Sequence, residues 1–210
     1  MKANNTLLSR MGISFILIML IGASFSLNAG QEALWKLRKE KNGIKVFTRD
    51  SDTSLKDSKG TVIVKAEISK VYKLLMNFDR HSRWMYKVRA SRILKKISEE
   101  EFYIYYEAEA PWPVLDRDII SHYKIKKDEN GKIVFQISGE ADFIPEKESF
   151  VRVPRMEGAW ELTPIDKNHV KVVFYNSSDP GGTLPYWLAN TTAEDNPYQT
   201  LSSFKALLEN

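Results

Sequence analysis

The chain has 210 residues, no cysteine, and a formal net charge of +4 from 31 Lys and Arg against 27 Asp and Glu. Without cysteine there are no disulfides, no lipidated N-terminal cysteine and no thiolate metal site, so an apolar core must hold the fold. So small a charge surplus gives no warrant for nucleic-acid binding, which wants a concentrated basic stripe, and no nucleic-acid partner is expected.

Residues 1–29 read as a secretory signal peptide. Lys2 and Arg10 are their only charges, an apolar run spans Met11 to Ile21, and the small residues Gly22, Ala23, Ser24, Ser26 and Ala29 follow. Cleavage is expected after Ala29, with Ser26 as the alternative. The stretch from Met11 to Leu27 falls short of the roughly 20 apolar residues of a spanning helix, which weighs against an uncleaved anchor. Residues 30–210 are then one domain outside the cytoplasm, periplasmic or extracellular.

The domain opens with a short predicted helix, Glu32 to Lys41, stopped by Asn42-Gly43. Ile44 to Arg49 alternates as a strand, a polar loop runs to Lys59-Gly60, and Thr61 to Ile68 is extended. Ser69 is the expected N-cap of a helix through about Phe78, with Val71, Leu74, Leu75 and Phe78 on one face. Seven strands follow: Val88–Ile97, Phe102–Glu109, Asp118–Ile125, Lys132–Gly139, Ser149–Val153, Gly158–Thr163 and Val170–Asn176. Tight turns without helices between them imply an antiparallel sheet. A closing helix, Thr183 to Leu208, carries Leu184, Trp187, Leu188, Tyr198, Leu201, Phe204 and Leu208 at helical spacing, and Pro197 should kink or break it. The class is therefore α+β.

No recognisable catalytic set is present. Glu107 and Glu109, two apart on a strand, share a face about 7 Å apart, as paired carboxylates in hydrolysis can. The blander readings are a solvated face with Tyr103 and Tyr105, a pairing with lysines on the next strand, or one buried Glu meeting a polar group. Arg117 and Asp118 are neighbours on a strand and face opposite sides, so at least one is structural, in an ion pair or a loop clamp. His81, His122 and His169 are too scattered for a metal site. His122 shares a face with Asp118, but no Gly-x-Ser-x-Gly elbow accompanies them, and Asp179-Pro-Gly-Gly182 is a turn and not a phosphate loop. The basic clusters Lys36–Lys39 and Arg89–Lys96 read as solvated faces.

Three segments, in order, resemble the START (steroidogenic acute regulatory protein-related lipid transfer) family. They are Trp35 with Asn42–Arg49, Ala110-Pro-Trp-Pro-Val-Leu-Asp-Arg-Asp118, and Tyr175–Asn190 with its Asp-Pro-Gly-Gly turn. The resemblance implies a helix-grip fold, a curved antiparallel sheet wrapped around the C-terminal helix and enclosing a tunnel for one sterol, phospholipid or ceramide, without a cofactor. It also implies an acidic head-group partner on the strand before the Arg-Asp pair, matched by Glu107 or Glu109, and the candidate ligand set is Tyr105, Glu107, Glu109, Arg117, Tyr123, Trp187 and Leu188. Steroid-carrying members place an arginine a few residues beyond the Arg-Asp pair; Tyr123 stands there, a departure from the steroid pattern. The alternative on the same fold is an enzyme of the cyclase or aromatase kind.

Pro111-Trp-Pro-Val-Leu115 is an apolar connection where a surface loop is expected. Trp112, Val114 and Leu115 are therefore candidates for transient membrane contact beside Trp187 and Leu188, unless Trp112 folds inward to plug the core. A monomer is expected.

Overall fold

Asn42 and Gly43 take left-handed backbone conformations, with φ of 55° and 74°. That is the geometry of a two-residue hairpin turn, whose twist matches the strands it joins. It joins β1 (Lys36–Lys41) to β2 (Ile44–Asp50). The expected opening helix is thus a strand: Lys-Leu-Arg-Lys-Glu-Lys has good helix propensity, but pairing with β2 overrides it. The structure, a computed structural model, describes residues 34–51 and 53–209. The signal-peptide reading of residues 1–29 lies outside them.

Strand β3 (Lys56–Lys65) starts earlier than its sequence suggests, because Gly60 is no turn. A Cβ there would stand 2.5 Å from Leu201 Cδ1 and 3.0 Å from Pro197 Cβ, so Gly60 is where the final helix crosses the sheet. Helix α1 (Ile68–Met76) buries Val71 and Leu75. Ser69 lies inside its first turn and not at its cap; its hydroxyl reaches the Glu67 carboxylate at 3.4 Å. A 3-10 turn, Phe78–Arg83, follows and buries Phe78 and His81.

The remaining strands are β4 (Val88–Ser98), β5 (Glu101–Ala108), β6 (Arg117–Lys127), β7 (Ile133–Gly139), β8 (Val151–Arg152), β9 (Arg155–Asp166) and β10 (His169–Asp179). The sheet runs β1-β2-β3-β10-β9-β7-β6-β5-β4. All these pairings are antiparallel; only the two-residue β8 lies parallel, on β6. The edge strands are β1, with Lys36, Arg38, Lys39 and Lys41, and β4, with Arg89, Arg92, Lys95 and Lys96.

Helix α2 (Tyr186–Glu209) lies across β2 and β3, the helix-grip arrangement. It runs unbroken through Pro197, which is buried against Gly60. Its buried residues are Pro197, Tyr198, Thr200, Leu201, Phe204 and Leu208, all from Pro197 onward. Residues 186–196 contribute no fully buried side chain. Inside, Trp160 is fully buried, stacks on Phe174 at 4.3 Å and meets Phe204 at 5.3 Å.

Candidate functional site: a cavity beneath the C-terminal helix

Alternation along β5 and β6 decides which side chains face inward. Cross-strand pairs put Tyr103, Tyr105 and Glu107 beside His122, Ile120 and Asp118 on the outer face. Phe102, Ile104, Tyr106 and Ala108 share the inner face with Tyr123, Ser121, Ile119 and Arg117. The inner residues look into a cavity of about 200 Å³ roofed by the start of α2. Its wall includes Tyr106, Tyr123, Ile137, Trp160 and Phe174; Leu184, Leu188 and Ala189 form the roof, and Glu109, Lys87 and Pro111 the rim.

Of the residues expected to meet a ligand, Glu109, Arg117, Tyr123 and Leu188 line this cavity. Tyr105 and Glu107 do not, because they point out of the opposite face. Tyr105 is buried there under Lys147, whose ammonium donates to its hydroxyl at 2.8 Å, and burial raises its pKa. Glu107 pairs with Arg89 at 3.3 Å and Lys147 at 3.5 Å. Glu107 and Glu109 therefore share no face. β5 ends at Ala108, so strand alternation no longer governs Glu109, which is exposed at the rim. Trp187 is 69 % exposed and points away from the cavity roofed by its neighbour Leu188.

Arg117 and Asp118 do face opposite sides. The Arg117 guanidinium donates to the carbonyls of Leu115, Pro180 (3.2 Å) and Gly181 (3.2 Å), clamping the loop before β6 to the Asp179–Gly182 turn. Desolvation lowers its pKa from 12.5, and it stays charged beside the rim. Asp118 binds Arg152 on the outer face, so it does not orient His122. His122 instead lies 2.7 Å from Glu101 and stacks on Tyr103 at 4.3 Å.

The closed end of the cavity holds a hydrogen-bonded series that sequence reasoning passed over. His81 Nε2 lies 2.8 Å from the Leu75 carbonyl, and His81 Nδ1 lies 2.9 Å from the Tyr106 hydroxyl. Tyr106 and Tyr123, on either side of the Ile104–Ser121 pair, bring their hydroxyls to 2.9 Å. Burial pushes His81 down to about 4 and Tyr123 up to about 12; Tyr106 is raised further by burial and by Tyr123. All three are neutral at pH 7. Strand alternation could have singled out Tyr106 as inward-facing; nothing in sequence spacing brings His81 to it.

The loop ahead of β6 turns its apolar residues outward. Trp112 is 93 % exposed and Leu115 is 52 % exposed, with Val114 half-buried, so Trp112 does not plug the core. Pro111 and Leu188 border the same cavity, which puts this loop and the start of α2 on one rim. Among the described residues no group of three or more His, Asp or Glu is placed to hold a metal ion.

Residues 20–210 match the START domain family. The chain is 36% identical to a STAR-related lipid transfer protein from Xanthomonas axonopodis of known crystal structure, with a TM-score of 0.77 over 83% of this chain and 98% of that one. It is 28% identical over 176 residues to an uncharacterized protein of Pseudomonas aeruginosa, covering 83% of this chain and 87% of that protein. It is 24% identical over 167 residues to the phosphatidylcholine transfer protein of Rattus norvegicus, covering 77% of each. Human StAR-related lipid transfer protein 5, at 19% identity, shares the fold with a TM-score of 0.74 over 84% of this chain and 87% of that one.

Proposed function

The chain belongs to the START domain family, and on that footing we propose that it binds a single lipid in the cavity beneath α2, outside the cytoplasm, and carries or senses it without altering it. The observation that carries the reading is the pairing of an aromatic and aliphatic cavity with a roof that nothing fully buries. A dozen methylenes withdrawn from water gain roughly 10 kcal/mol at about 0.8 kcal/mol each, so an apolar cavity suffices to hold a lipid chain. At about 200 Å³ the cavity is tighter than the ~300–1,000 Å³ of common ligand sites, so loading requires the start of α2 to lift. The lack of fully buried side chains over residues 186–196 supports that motion.

Proton chemistry has little to work with here. A general acid or base is most effective with a pKa near the working pH, whereas His81 sits at about 4 and Tyr123 at about 12. That supports carriage over a cyclase-like activity. Exposed Trp112, Leu115 and Trp187 support transient contact of this rim with a membrane, since large exposed apolar side chains suit an interface. The basic, apolar, small-residue order of residues 1–29 supports export.

Native mass spectrometry of the purified protein, followed by lipid extraction, tests the carrier reading. One intact lipid per chain is expected; a ligand-free mass under lipid-replete expression would defeat it. N-terminal sequencing of the exported protein should begin near Gly30, and an intact Met1 on a cytoplasmic protein would end the export reading.

A further inference from the structure

The three groups at the closed end of the cavity have only one way to share their protons. The Leu75 carbonyl can only accept, so His81 carries its proton on Nε2 and donates it there at 2.8 Å. His81 is neutral, its pKa held down to about 4 by burial, so Nδ1 is an acceptor. The Tyr106 hydroxyl therefore donates to Nδ1 at 2.9 Å, and its oxygen accepts the Tyr123 hydroxyl at 2.9 Å. Every polar hydrogen of His81, Tyr106 and Tyr123 is spent inside the series. What the two phenols still offer the cavity they line is lone pairs.

Trp160 supplies a second, independent observation. It is fully buried, contributes to the same wall, and its indole N–H has no hydrogen-bond partner. Trp84 has the same deficit but does not line the cavity. A buried donor without a partner is costly, so a ligand group able to accept from it is favoured.

The geometry points to a lipid recognised at this end through an uncharged group that both donates and accepts, for which a hydroxyl, doing both at one atom, is the most compact fit: it donates to Tyr123 and can accept from Trp160. The inference rests on the carrier reading and adds the ligand's class to it. A phosphodiester or carboxylate would turn acceptors and negative charge toward phenol lone pairs. A quaternary ammonium has no proton to give, and an ether or ester oxygen has none either. An ammonium could donate, but would bring an unpaired charge into an aromatic enclosure.

The test is a titration of the purified protein with dioctanoylglycerol, its 3-O-methyl ether and dioctanoyl phosphatidylcholine, each below its micelle concentration, read by native mass spectrometry. Dioctanoylglycerol should bind about five- to tenfold more tightly than the ether, the worth of one buried hydrogen bond. Tyr123→Phe removes the accepting oxygen and should bring that ratio close to one. Tyr106→Phe provides a second route: it frees the Tyr123 hydroxyl to donate into the cavity, and the ratio should fall there too. Equal binding of alcohol and ether by the unaltered protein, tightest binding of phosphatidylcholine, or a ratio unchanged in both variants would each overturn the inference while leaving the carrier reading standing. Uptake of none of the three, together with a purified protein free of lipid, would overturn both.

Discussion

Arg152 meets Asp118 through two parallel hydrogen bonds, Nε to Oδ1 at 2.8 Å and Nη2 to Oδ2 at 2.9 Å, with both side chains almost wholly buried. Arg152 also donates to the carbonyls of Ala141, Ile144 (3.1 Å) and Pro145 (3.3 Å), so one guanidinium ties the segment after β7 to β6 on the outer face. Asp118→Asn would leave a buried guanidinium uncompensated. The expected loss is about 3–5 kcal/mol in denaturant unfolding, the usual result of removing one member of a buried pair. A loss under about 1 kcal/mol would mean that the carbonyls alone hold Arg152.

Acid should weaken the fold through His81. Its folded-state value is about 4 against 6.5 for the free side chain, mainly because burial disfavours its charged form. The stability it contributes is fully present above pH 6.5 and is lost as pH falls toward about 4, amounting to about 3 kcal/mol. In His81→Gln the stability profile between those two pH values should be flatter than in the unaltered protein. Parallel profiles would show that other groups carry the acid sensitivity.

Asn190 is one of the side chains that tie the start of α2 to the sheet, beside the Lys39–Asp195 ion pair at 3.2 Å. Asn190 Oδ1 accepts from the Lys56 backbone N–H and Asn190 Nδ2 donates to the Ser54 carbonyl, both at 2.9 Å. Asn190→Ala removes two partly exposed hydrogen bonds worth about 1 kcal/mol between them, so lipid exchange should quicken about fivefold. The melting temperature should move little, because the buried half of the helix is untouched. An unaltered exchange rate would mean that the lid is held elsewhere.

Trp112 separates contact with membranes from packing. At 93 % exposure it has little to lose, and Trp112→Ser should change stability by no more than about 0.5 kcal/mol. Transfer of lipid between vesicles should slow severalfold. A loss of about 3–5 kcal/mol, as for truncating a buried aromatic, would remove the membrane-contact role.

Period-two alternation and tight turns made the strands from Val88 to Asn176 legible, and the helical spacing of Leu201, Phe204 and Leu208 did the same for the gripping helix. Local propensity misled where partners decide. Lys36–Lys41 looks helical until β2 is beside it, and Gly60 looks like a turn until Leu201 lies over it. The site was half legible for the same reason. Arg117 and Tyr123 fall in the inward phase of β6, but Glu107 is out of phase and Glu109 lies past the strand's end. The pairing of His81 with Tyr106 bridges 25 positions and a turn, and no periodicity encodes it.

The open sheet ends on two strands, β1 and β4, and the 3-10 turn covers part of the second, where the Asp79 carboxylate accepts from the Ile93 backbone N–H at 3.1 Å. Those two strands are also where the basic clusters fall, four cations on each. Zipping one molecule's edge onto another's would set these cations about 5 Å apart across the new junction, where like charges repel. The clusters that read as solvated faces would on that account oppose strand-by-strand accretion into fibres.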